Sequence, residues 1–130
     1  MKNTIIFAAA LFIAGCAGGY EKAENAQDAG REFIRASLDG DYKRARFYLL
    51  KDSTNMLLIE RQKKNYEELS NAEKSQHRES SIRPISIGKL NDSATVYKYF
   101  NTYNTKDTTS ITIVRSNGDW LVDLKSILKL

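Results

Sequence analysis

From Ala23 to Leu38 the small and apolar residues recur at helical spacing, with Ala26, Ala29 or Gly30, Phe33 and Ala36 or Ser37 on one side. Gly40 suits the left-handed turn that ends such a helix. Asp41 caps a second short helix running to Leu50, with Tyr42, Ala45 and Leu49 on one side. Asp52 or Ser53 caps a third segment, whose apolar cluster Met56-Leu57-Leu58-Ile59 is continued by Tyr66 and Leu69 through turns rich in Lys and Glu. Ser70-Asn71-Ala72-Glu73 matches a capping box, which predicts a break near Ser70 and a fourth helical stretch to about Glu79.

The period then changes from helical to alternating. Pro84, the only proline, stands at the entry of a strand over Arg83–Leu90, a position that strands tolerate at an edge or a start. Asn91-Asp92 predicts a turn, and Ser93–Tyr103 a long strand rich in Thr, Val, Tyr and Phe. Asn104–Asp107 reads as another turn and Thr108–Ser116 as a third strand. Asn117-Gly118 is a strong hairpin signal, because a type I′ turn needs positive φ at both positions. Asp119–Leu124 completes a four-stranded antiparallel meander. Helices segregated from hairpins make an α+β domain whose sheet buries one face and leaves the other for water, a ligand or a partner.

The first fifteen residues follow neither pattern. Met1-Lys2-Asn3 is a short basic start, and the apolar run from Ile5 to Gly15 is about half of what spans a bilayer. It reads as a cleaved targeting segment. The run ends in Ile13-Ala14-Gly15-Cys16, which resembles the bacterial lipobox. That resemblance implies a diacylglyceryl group on the Cys16 sulfur, cleavage between Gly15 and Cys16, and acylation of the new amine. Two or three chains at about 0.8 kcal/mol per buried methylene anchor stably, where one does not. Cys16 is the only cysteine, so an internal disulfide is excluded and the thiol is left for lipid. By the same analogy Ala17, where an aspartate would hold the protein in the inner membrane, points to the outer membrane of a Gram-negative envelope. The expected organisation is a signal peptide over 1–15, a lipidated tether over 16–22 and one folded domain over 23–130.

Charge narrows the partners. The formal charge is +4, or +3 once Lys2 leaves with the leader, and no run of five like charges occurs. Arg61–Lys64 lies among glutamates, so it reads as a solvated helix face, and nucleic acid is not expected as a partner.

The Phe33–Leu38 helix end with Asp39-Gly40-Asp41, and the closing Asn117-Gly118-Asp119-Trp120-Leu121-Val122-Asp123, resemble the nuclear-transport-factor-2-like (NTF2-like, cystatin-like cone) superfamily over roughly 23–125. The resemblance implies a curved sheet wrapped around the helices to form a conical pocket. Its members include isomerase-like and dehydratase-like enzymes as well as proteins that only bind or dimerise, so fold does not select an activity.

No catalytic constellation stands out. His77, the only histidine, sits in a polar helical run and reads as a surface residue, and one His with one lipidated Cys is too few for a metal site. Asp123 is the carboxylate best placed on a strand, and alternation turns it away from Trp120, Val122 and Leu124. Tyr97, Tyr99 and Tyr103 share one face of the long strand with Thr95 and Asn101. They form either an aromatic wall for a ligand or partner, or ordinary packing under the helices. The expectation is a lipid-anchored envelope protein, not an enzyme and without cofactor. It would bind a small apolar ligand, another envelope protein, or a second copy of itself through the sheet. The alternatives are a small NTF2-like enzyme on an apolar substrate, using Asp123 or a tyrosine, and a purely structural envelope protein.

Overall fold

The computed structural model describes residues 19–128; the leader, Gly15 and Cys16 lie outside them. Four helices come first: α1 (Ala26–Asp39), α2 (Tyr42–Phe47), α3 (Ser53–Glu67) and α4 (Asn71–Glu79). They are followed by strands β1 (Ile82–Asn91), β2 (Ala94–Asn101), β3 (Asn104–Ser116) and β4 (Asp119–Asp123), and by a short 3₁₀ segment, Leu124–Leu128. The strands form one antiparallel sheet in sequential order, as the turn signals predict.

The helix boundaries follow their caps. The side chains of Asn25, Asp41, Asp52 and Ser70 each accept a backbone N–H of the first turn, and Ser70 and Glu73 form the complete capping box. The first helix therefore starts at Ala26, three residues after the expected Ala23, because Asn25 supplies the cap. Asn117 and Gly118 both take positive φ, 50° and 84°, in the β3–β4 turn.

Two expected turns move. Asn91 remains in β1 while its side chain accepts the Ser93 N–H, so the chain reverses at Asp92-Ser93. The second long strand stops at Asn101, and the chain turns at Thr102-Tyr103 instead of Asn104–Asp107. Hydrogen bonds from that turn to Ser80 and Ser81 hold it there.

Helix α1 lies across the inner face of the sheet. Phe33, Ile34 and Leu38 meet Tyr97, Ile111, Ile113, Val122 and Leu124 in a single core. Gly30 permits the approach, since a Cβ there would stand 3.2 Å from Ile113 Cδ1. The free edge of β4 is covered by Tyr48–Leu50, with Val122 N–H donating to the Tyr48 carbonyl and Leu50 N–H to the Val122 carbonyl. The β1 edge is uncovered and carries exposed Ile85, Ile87 and Leu90. Pro84 lies on this edge, beside a bulge.

A polar cluster ties the start of α3 to the end of the sheet. Asn55 is completely buried; its amide donates to the Leu50 carbonyl and to Asp123 Oδ1, and its oxygen accepts the Lys125 N–H. The Lys125 ammonium bridges Asp52 and Asp123 at 2.8 and 2.6 Å. The Asn55 backbone N–H and then Lys125 hold the Asp52 carboxyl below its ordinary range.

Candidate ligand site

The candidate site opens where α1 ends. The C-terminal turns of α1 supply Phe33, Ile34, Ser37 and Leu38; α3 supplies Gln62, Asn65 and Tyr66; β2 and its turn supply Tyr99, Asn101 and Tyr103. Thr109, Ile111, Leu124 and Ile127 complete the walls of a cavity of about 370 Å³. That size falls within the range of small-molecule pockets. Aliphatic side chains and Phe33 give it an apolar body, and tyrosines, amides and one histidine supply its polar groups. Among the described residues no carboxylate, lysine or arginine lines it.

Each wall residue is held by its own element. Gly40 ends α1 at φ 73°, and a Cβ there would lie 2.3 Å from the Tyr66 ring, so glycine both turns the chain and seats Tyr66. The Tyr42 ring packs obliquely on Tyr66 at 6.0 Å, and its hydroxyl donates to the Gln62 carbonyl. Arg35 reaches from α1 to the carbonyls of Ser80, His77 and Arg78, fixing the end of α4 beside the opening. Buried Ser80 bonds Thr102 and the Tyr103 N–H, which brings Tyr103 over α4.

His77 is the result of that clamp. It stacks on Tyr103 with ring centroids 4.0 Å apart and meets Tyr66 edge-on at 6.3 Å. Its Nδ1–H donates to the Glu73 carbonyl at 2.7 Å, which in the neutral ring leaves Nε2 as an acceptor. Sequence reasoning read His77 as a surface residue; it is half-buried and lines the cavity. Gln62 and Asn65 were also missed. The available signal was Gln62 falling in phase with Leu58, Ile59, Tyr66 and Leu69, a polar side chain within an apolar stripe.

Tyr42 and Tyr99 keep their protons. Burial, then neighbouring Tyr66 and Glu67, pushes the Tyr42 hydroxyl up to about 12. Burial pushes the Tyr99 hydroxyl higher still, opposed in part by the Thr109 side chain. Both are neutral at physiological pH, so neither serves as a base. Two residues that line the cavity, Gln62 and Asn101, carry buried side-chain oxygens without a hydrogen-bond partner among the described residues.

Of the residues expected to form an aromatic surface, Tyr99, Asn101 and Tyr103 line the cavity. Tyr97 shares their face of the sheet, but at 1% exposure it packs in the core under Gly30. Asp123 lies away from the cavity, with its side chain 18% exposed and bound to Asn55 and Lys125. Among the described residues no three His, Cys, Asp or Glu side chains gather as a metal site.

Helices closing one face of a four-stranded meander, with a cavity between them, match solved structures. A Campylobacter jejuni protein named "Putative NTF2-like transpeptidase" superposes with a TM-score of 0.52 at 14% identity, over 78% of this chain and 99% of its own. The fold is NTF2-like. An NTF2-like protein of unknown function from Shewanella oneidensis MR-1 gives a TM-score of 0.48 at 15% identity, over 72% of this chain and 88% of its own. No protein-family profile and no curated protein matches the chain. At such identity the likeness is one of architecture. The NTF2-like cavity of this chain has its own lining: four tyrosines, one histidine and three amides.

Proposed function

We propose that this protein is a membrane-tethered NTF2-like domain that binds a small neutral molecule with an apolar body and hydrogen-bond donors, without transforming it. One observation carries the reading: Gln62 and Asn101, which line an aromatic cavity with no charged residue among those described, carry buried side-chain oxygens without partners. A buried acceptor left unpaired costs about 1–3 kcal/mol, and a ligand N–H or O–H removes that cost. The ring of His77, which also lines the cavity, offers a further polar group to the same ligand class. Tyrosine rings offer flat area for stacking.

Benzamide and benzoate test this, because they share a shape while only benzamide brings N–H donors. The chain without residues 1–15 and with Cys16→Ser, titrated with each and followed by NMR, shifts the cavity resonances with benzamide only. Asn101→Leu abolishes that preference. Equal response to benzoate contradicts the reading. The absence of turnover is supported by the chemistry of the lining. Asp123 is bound to Lys125 outside the cavity, Tyr42 and Tyr99 stay protonated, and the Nδ1 of His77 is taken up by the Glu73 carbonyl.

Tethering is supported by Ile13-Ala14-Gly15-Cys16 and places the domain in the bacterial envelope, at the outer membrane by analogy with Ala17. A Cys16→Ser precursor loses metabolic labelling by palmitate; unchanged labelling contradicts it.

A further inference from the structure

We propose that the domain rests directly on an anionic bilayer surface through the face bearing Tyr20, Phe47 and Trp120, with the cavity mouth turned toward water. The inference rests on acylation of Cys16. The expected tether over 16–22 is shorter in effect, because its second half belongs to the folded body. Tyr20 packs on Phe47 with rings 5.5 Å apart, the Glu21 carbonyl accepts the Tyr48 hydroxyl, and Lys22 pairs with Asp119. Three residues separate an acylated Cys16 from Tyr20, four steps that reach about 14 Å at full extension. The lipid therefore holds the Tyr20 face against the headgroups.

The chemistry of that face suits the position. Phe47, Trp120 and Leu121 line one shallow cleft with Lys22, its partner Asp119 and Lys51, and the Arg115 guanidinium lies 5.7 Å from the Trp120 ring, which leaves the basic side chains in excess. Aromatic rings between basic side chains match an anionic headgroup layer. The opposite flank of Tyr20 carries Glu21, Glu24, Asp28, Glu32 and Asp41, and with Arg31 and Arg44 pairing Asp28 and Glu32 it keeps a net negative charge, which such a surface repels. Attraction on one flank and repulsion on the other fix the tilt. Helix α1 starts beside the tether and ends at the cavity, and its 14 residues span about 20 Å. The mouth therefore stands away from the lipid, and its ligand arrives from the aqueous phase.

Trp120 is the only tryptophan, so its emission reports the contact directly. The full acylated protein is reconstituted into phosphatidylcholine–phosphatidylglycerol vesicles whose acyl chains carry bromine near the headgroups. Trp120 emission is quenched. Acylated Lys22→Glu/Lys51→Glu, or raised ionic strength on the native protein, restores emission, moving the docked-to-free ratio roughly fivefold per removed charge. Intact mass separates the failures. A protein without acyl chains defeats the anchoring and this proposal together. An acylated protein whose Trp120 is unquenched, or quenched equally with reversed charges and in high salt, overturns the proposal alone.

Discussion

Two asparagines, Asn55 and Asn101, show what separates the two ends of this molecule. Asn55, at the α3 start, satisfies its amide with Leu50 and Asp123 and its oxygen with the Lys125 N–H. Asn101, at the cavity, keeps a buried oxygen with no partner. The same side chain serves as a structural clamp at one end and as a waiting acceptor at the other. A fully satisfied polar network specifies a fold, whereas an unsatisfied one weakens it unless something else completes it. The contrast extends to charge: Asp52, Asp123 and Lys125 sit around Asn55, while the cavity lining is uncharged.

Truncation breaks this comparison hardest among the tyrosines of one sheet face. Tyr97→Ala opens the core under α1 and costs about 4 kcal/mol in urea unfolding. Tyr103→Ala, at 45% exposure, costs under about 1 kcal/mol and removes the stacking partner of His77. A large loss in Tyr103→Ala would make the mouth part of the stabilising core. Next comes Asn55→Leu, which strands the Lys125 N–H, takes one donor each from the Leu50 carbonyl and the Asp123 carboxylate, and costs about 3 kcal/mol. Asn101→Leu removes an oxygen that has no partner, so its unfolding free energy matches the parent or exceeds it by about 1 kcal/mol.

Gly40→Ala places a methyl group against the Tyr66 ring and strains a residue at φ 73°, a loss of about 2 kcal/mol in thermal unfolding together with weaker benzamide binding. The mildest test is alkaline. The Tyr42 hydroxyl is raised from 10.0 to about 12, so the folded state holds a proton that the unfolded chain releases. Its contribution is complete below pH 10 and is lost as pH rises through about 12. Tyr42→Phe flattens that decline, read as the unfolding midpoint against pH.

How much of this was legible differs between the ends. The caps at Asp41, Asp52 and Ser70 and the Asn117-Gly118 hairpin are local, with signal and structure within a few residues, and sequence alone located them. The shared face of Tyr97, Tyr99 and Asn101 follows from strand alternation. Which of them reaches a cavity depends on where α1 crosses the sheet, and Gly30 decides that in three dimensions. His77 was illegible for the same reason. Its neighbours in the chain are polar, and two distant positions, Arg35 and the Tyr103 turn that binds Ser80, bring it to the mouth. The 3₁₀ segment after β4 carries no distinctive local pattern, and the Lys125 contacts with Asp52 and Asn55 span about seventy residues.

The central claim is that the unpaired cavity oxygens are kept for a ligand donor. The most direct measurement is the unfolding free energy with and without benzamide, in the parent and in Asn101→Leu. At a hundredfold excess over its dissociation constant for the parent, benzamide adds about 2.7 kcal/mol to the parent and little to the variant. Equal stabilisation of both proteins would contradict the account.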